Sequence, residues 1–395
     1  MLKTLSMLIL ASVVCLGEPK TTAKHGMDEV RLAKIAPRLK AFIDQNTIAG
    51  SVTLTARHGE VAHLEAAGWQ DVENRVAMQK DSIFQIKSMT KPVTGTAIMI
   101  LAEEGRIALT DPVEKYIPEF RGQWMISGKN KDGSLTVQKP SRIITIRDLM
   151  THTSGMPTQA ESLPNAYILP LSQAVTLFSQ QLLEFEPGTH WLYSNTGLNT
   201  LGRIVEVAAD MPYDSFVQQR ILDPLGMKDT HFFPPPDKLA RIALPYEIKN
   251  GKLVRSTEDP YVKGRKNPGP AGGLFSTAQD MSRFYQMMLN GGTLQGRRIL
   301  SKASVEVMTA NHTGDMRAGH GPGAFGLTWN VTRTAQATLT FESKGTYSHG
   351  GAWGTYGWVD PSKDMLGVFM IQRVPGGSRD ERLAFQALAA SAITD

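Results

Sequence analysis

Cysteine is almost absent: Cys15 is the only one in 395 residues. A single thiol near the start of the chain closes no disulfide and leaves the rest without a sulfur nucleophile. Charge of one sign is lacking too, since 42 basic and 37 acidic residues leave a net +5. The densest basic cluster, Lys263-Gly-Arg265-Lys266, is short and has no interleaved aromatics. It reads as a solvated loop, and no nucleic-acid partner is expected. No hydrophobic run reaches the ~20 residues of a stable membrane span. There is no H-E-x-x-H zinc motif and no P-loop. Gly319-His-Gly-Pro-Gly323 lacks the strand-helix context and acidic partner of a dinucleotide site and reads as a loop at a groove rim. None of these patterns offers a metal or cofactor motif.

The composition is that of a folded globular chain, 41% hydrophobic and 20% charged, with Gly 36 and Pro 22 scattered through it. This length permits a large core and favours two sub-structures over one. The first 23 residues stand apart. Lys3 supplies a positive start, Leu5 to Leu16 is apolar or small, and Glu18, Lys20, Thr21 and Thr22 end the run. That layout is expected to be a secretory signal peptide cut near Gly17 or Ala23, with export to follow. Lipid attachment at Cys15 is the alternative, against which Ser12-Val13-Val14 is a poor approach.

The expected fold class is α+β. Leu32, Ile35, Leu39, Phe42 and Ile43 predict a helix over 28–47 with a bend near Pro37. Two β-rich runs flank His58-Gly59-Glu60 and read as a hairpin. Phe325 to Thr332, Tyr356 to Asp360 and Leu366 to Gln372 predict strands, and Arg379 to Ile393 a closing helix. The two chain ends would thus build one antiparallel sheet, about 24–91 plus 291–395. Helical periodicity at Thr94–Glu104, Ser172–Leu183, Leu198–Ala209, Tyr213–Ile221 and Thr277–Leu289 predicts an inserted, mainly helical sub-domain over about 92–290. A groove between the two is where a small-molecule site would form. Segments 121–142, 165–171 and 249–270 read as loops that shape it.

Three short motifs carry chemistry. Ser88-Met-Thr-Lys91 follows the strand-like Ser82-Ile-Phe-Gln-Ile-Lys87 and opens a helix, so a spacing of three brings hydroxyl and amine together. The positive pole of a helix favours a developing oxyanion, and with burial it disfavours protonated lysine. Alone the pattern is weak, because a surface serine beside a solvated lysine is common. Tyr193-Ser194-Asn195 adds a phenol able to run as phenolate and relay a proton, and an amide to hold substrate and lysine. Ser348-His349-Gly350-Gly351-Ala352 adds two glycines beside which a substrate can lie, with a following N–H free for an oxyanion hole. His152-Thr-Ser-Gly155 is no nucleophile elbow, because glycine is missing two before Ser154.

In this order the three motifs resemble the serine β-lactamase and penicillin-recognising superfamily. Phe84-Gln-Ile-Lys-Ser-Met-Thr-Lys-Pro-Val93 is similar to the nucleophile segment of its family VIII carboxylesterases. Ile146-Arg-Asp-Leu-Met-Thr-His-Thr-Ser-Gly155, Pro224-Leu-Gly-Met227 and Ala271-Gly-Gly-Leu-Phe-Ser-Thr-Ala278 resemble further family segments, over about 30–390. The resemblance implies a β-lactamase/DD-peptidase-like fold and an acyl-enzyme at Ser88. It implies Lys91 as activator, Tyr193 as general base and acid, and Asn195 as anchor of substrate and lysine. His349, Gly350 and Gly351 would form the strand motif, and the N–H groups of Ser88 and Ala352 the oxyanion hole. Class C β-lactamases carry lysine where His349 stands. Losing that cation would weaken recognition of a carboxylate by about 1.5–3 kcal/mol at a dry site. The implied activity is therefore a carboxylesterase on short or medium acyl esters. A D-alanyl peptidase or β-lactamase on cell-wall-like amides is the alternative, and a silent binder of peptidoglycan fragments a third.

Overall fold

The computed structural model describes residues 25–159, 166–258, 264–316, 318, 323–334, 340–376 and 380–395. The expected signal peptide, Lys263 and most of the Gly319–Gly323 run lie outside the described residues.

The hairpin expected around Gly59 is present, with β1 (Gly50–Arg57) and β2 (Glu60–Asp71) paired antiparallel. They join β3 (Val76–Ala77), β4 (Ala324–Phe325), β5 (Asn330–Val331), β6 (Tyr347–Gly350), β7 (Tyr356–Asp360) and β8 (Met365–Met370). The order is β4-β5-β6-β7-β8-β1-β2-β3 in one 8-stranded antiparallel sheet. Strands from both chain ends meet at the β8–β1 pairing. β1 and β8 are buried along their whole length, as befits central strands covered on both faces.

The two-residue alternation sorts their side chains by face. Leu366, Val368 and Met370 with Val52 and Leu54 turn to one side, where Met281 and Phe284 of the helix Ala278–Leu289 cover them. Met365, Phe369 and Trp358 turn to the other, under the helices Ile35–Asp44 and Asp380–Ser391 with Leu39, Phe42 and Phe385. The fold is α+β, a large antiparallel sheet flanked by terminal helices, with several further helices in the middle of the chain. The helix Ala278–Leu289, assigned from sequence to the helical part, packs on the sheet.

The opening helix breaks earlier than expected. It is two pieces, Glu29–Leu32 and Ile35–Asp44. Pro37 lacks the N–H that would bond Ala33, so the interruption falls at residues 33–34 and the proline sits harmlessly in the first turn of the second piece. The strand expected over 325–332 is a tight hairpin, β4 and β5, turned by Gly326 N–H donating to the Trp329 carbonyl at 2.8 Å. Segment 121–142, read as a loop, holds a small hairpin, Met125–Lys129 with Leu135–Gln138.

Lys91–Glu103 is the central helix of the middle region. Every residue from Lys91 to Leu101 is buried, so the helix is enclosed on all sides. Asn195–Ala209 and Tyr213–Val217 pack against it, and Leu171–Ser179 packs against the former. Among the described residues no helix is long and apolar enough to cross a membrane.

Candidate functional site

The strand expected before Ser88 is reduced to Phe84–Gln85, paired with Phe275–Ser276. Lys87 then turns into the left-handed region at φ 47°, and Lys87–Thr90 forms a 3-10 turn running straight into the α-helix at Lys91. Ser88 therefore stands one turn ahead of the helix, not on it. Residues three apart eclipse one another in a 3-10 turn, so the Ser88–Lys91 juxtaposition survives the change. A left-handed lysine costs about 1–2 kcal/mol. The turn is pinned by Thr90, whose Oγ1 donates to the Lys87 carbonyl at 2.7 Å and accepts from Leu274 N–H at 3.1 Å.

Lys91 is wholly buried. Its Nζ lies 3.0 Å from Ser88 Oγ, 2.7 Å from Asn195 Oδ1 and 2.6 Å from the Ala271 carbonyl. Burial holds its pKa well below the usual lysine value, because desolvation penalises the ammonium. The neutral amine has two N–H groups and one lone pair. Asn195 and Ala271 offer only acceptors here and take the two N–H groups, which leaves the lone pair for the Ser88 hydroxyl.

Tyr193 closes the set. Lys91 Nζ is 4.6 Å from the centre of its ring. Burial pushes the phenol pKa up, and its hydrogen bond with Ser88 pulls only part of the way back. Both shifts disfavour a phenolate–ammonium pair.

His349 is buried, its Nδ1 donating to the Gly350 carbonyl at 2.8 Å, and its ring lies 6.2 Å from that of Tyr193. Gly350 ends β6, and Gly351 is tied back to Thr355 through its N–H at 2.7 Å. Ala352 beyond them is exposed. Thr355 Oγ1 donates to the Ile86 carbonyl at 3.0 Å, which joins this strand end to the entry of the Ser88 turn. All eight residues singled out from sequence thus belong to one region.

Two residues were passed over. Asn199 lies one turn beyond Asn195 on the same helix, and its Oδ1 accepts Ala271 N–H at 3.0 Å, fixing the carbonyl that Lys91 uses. The Asn195/Asn199 spacing of four was the available signal. The other is His152, rejected as part of a serine elbow, whose ring sits 4.5 Å from that of Tyr193. Among the described residues no group of three or more His, Cys, Asp or Glu is placed to hold a metal. A cavity of about 230 Å³ lined by Phe120, Lys139, Arg142 and Leu183 lies elsewhere and includes none of these side chains.

The sequence model of the Beta-lactamase family matches residues 35–391. The chain belongs to the Beta-lactamase family. Among its relatives, Protein Rv1367c of Mycobacterium tuberculosis is 33% identical over 369 residues, covering 88% of this chain and 91% of that protein. Esterase EstB of Burkholderia gladioli is 30% identical over 365 residues, covering 83% and 88%. Among solved structures, EstCE1, a hydrolase with promiscuous acyltransferase activity, superposes with a TM-score of 0.76 at 24% identity over 92% of this chain and 99% of its own. The last likeness establishes the family's fold for this chain. EstB places an esterase among its relatives.

Proposed function

We propose that this protein is a serine carboxylesterase of short or medium acyl esters, working through an acyl-enzyme at Ser88. The observation that carries the reading is the wholly buried Lys91 amine, held by two fixed acceptors with its lone pair toward Ser88 Oγ. In the first half-reaction Ser88 Oγ bonds the ester carbonyl carbon while its proton passes to Lys91 Nζ. The N–H groups of Ser88 and Ala352 receive the oxyanion. The C–O bond breaks as the Tyr193 hydroxyl protonates the departing alkoxide, and Lys91 returns a proton to Tyr193. An alcohol leaves and both side chains are neutral again. Water then attacks the acyl-enzyme over the same groups in reverse. Asn195 anchors lysine and substrate, and His349 with Gly350 and Gly351 forms the wall along which the acyl group lies.

Ester over β-lactam or peptide is supported by His349, which commits Nδ1 to the Gly350 carbonyl and gives the wall no permanent cation for a substrate carboxylate. The name of EstB agrees. Export follows from the pattern of residues 1–23. The test is a burst of p-nitrophenolate from a short-chain p-nitrophenyl ester, abolished in Ser88→Ala. A Ser88→Ala variant as fast as the parent ends the proposal. Nitrocefin turnover on the same preparation separates ester from β-lactam preference.

A further inference from the structure

His152 ends the short helix Ile146–Thr151 in the left-handed conformation, φ 60° and ψ 33°. The helix is fixed at its other end by a capping box between Thr145 and Asp148, and Arg142 bonds both oxygens of that carboxylate at 2.6 and 2.9 Å. The histidine so presented touches three successive residues. Its carbonyl accepts Leu192 N–H at 2.9 Å, its Nδ1 accepts Ser194 N–H at 3.0 Å, and between them its ring lies against the Tyr193 ring at 4.5 Å with a 37° tilt. Phe325 and Trp191 close around it at 4.9 and 5.8 Å.

The ring is fully buried, and its Nε2 has no hydrogen-bond partner among the described residues. Accepting a backbone N–H at Nδ1 requires a neutral ring with its proton on Nε2. Burial, then Lys91, then His349 all push His152 well below the ordinary histidine pKa, so that form persists.

We infer that His152 is a positioning residue for the reaction: as a neutral ring it grips residues 192–194 and holds the Tyr193 hydroxyl where it can reach both Ser88 and the leaving oxygen. This rests on the reading of Tyr193 as the acid for the departing alcohol. Within the segment Trp191 adds a looser contact, its ring 6.2 Å from that of Tyr193. Ser194 is occupied in capping the next helix, where its Oγ accepts Gly197 N–H at 2.9 Å and donates to the Pro157 carbonyl at 3.0 Å.

The test uses His152→Phe, which keeps the ring volume and loses the acceptor, and His152→Asn, which keeps an acceptor at the same reach and tolerates the left-handed backbone. Each is assayed on an alkyl butyrate and on p-nitrophenyl butyrate. An alkoxide needs protonation to leave and nitrophenolate does not. The expected result is a kcat/KM on the alkyl ester, which reports acylation alone, reduced about a hundredfold in His152→Phe, a loss in kcat/KM at least fivefold smaller on the nitrophenyl ester, and a recovery of at least fivefold in His152→Asn. Combined with Tyr193→Phe, neither substitution should add to the loss that Tyr193→Phe causes alone. Equal losses on both esters, or full additivity, overturn the inference. If His152→Phe does not fold, His152→Ala, which also loses the acceptor, carries the same cycle. Unimpaired alkyl-ester turnover in Tyr193→Phe would instead remove the acid role itself, a result that no His152 variant can produce.

Discussion

The Cα of Gly351 lies against the carbonyl of Ile86, so close that a Cβ there would stand 2.4 Å from that oxygen and 2.1 Å from Thr355 Oγ1. The strand end that carries Ala352 and the turn that carries Ser88 are therefore set in register by the absence of a side chain. Gly351→Ala must push the two apart, since a backbone oxygen cannot rotate away. We expect kcat/KM for a short ester to fall about a hundredfold, the size of effect a displacement of about 1 Å produces. Steady-state kinetics beside a thermal melt checks this, and unchanged kinetics would show that the contact does not set the site.

Lys91→Met keeps length and volume but removes the amine. Burial already disfavours the ammonium, and the orphaned Asn195 Oδ1 and Ala271 carbonyl are the main cost, about 1–3 kcal/mol. General-base assistance is worth about 10²–10⁴-fold. Acylation of Ser88 by a fluorophosphonate, followed by intact mass, should slow by that factor. Labelling at the parental rate would mean that Ser88 is activated by another group.

His63 sets an acid limit on stability. It is buried, with Nε2 2.8 Å from Thr53 Oγ1, and burial lowers its pKa from 6.5 to about 4. A depressed folded pKa means that the native state binds fewer protons than the unfolded chain between pH 6.5 and 4. The associated stability is complete above pH 6.5 and drains away as pH falls through 4, about 3 kcal/mol in all. Urea midpoints of the parent should fall across that window, and those of His63→Gln should fall less. Parallel curves would refute the assignment.

Lys87 acts at the alkaline end. Burial lowers its pKa from 10.5 to about 8, Glu258 opposing and Arg265 adding, while its Nζ sits 3.5 Å over the Trp353 ring. A lowered lysine pKa costs stability below pH 8, and the cost lifts as pH rises from 8 to 10.5. The contact with Trp353, about 0.5–1 kcal/mol, offsets part of it. Lys87→Met should be more stable than the parent at pH 7 by about 1 kcal/mol and lose that advantage by pH 10.5. Melting temperatures over that range decide the matter.

Much of this protein was readable in one dimension because its signals are local. Period-two and period-3.6 patterning marks β1, β7, β8 and the helices at 195–209 and 278–289, and backbone hydrogen bonding forces such segments into strands and helices wherever they lie. The motifs around Ser88, Tyr193 and His349 were legible for the same reason, each being contiguous. The ionisation states were legible only in part, the lowered basicity of Lys91 being anticipated. That a phenol beside a lysine can relay a proton was readable, but the burial of both groups, which disfavours their charged forms, is a property of the assembled fold. The placement of His152 was equally hidden, since its partners lie forty residues on and meet it only because two loops fold together. Sequence determined which side chains could do chemistry. Tertiary structure decided which of them are dry, which are neutral and which hold the others still, because desolvation and contact depend on neighbours far away along the chain.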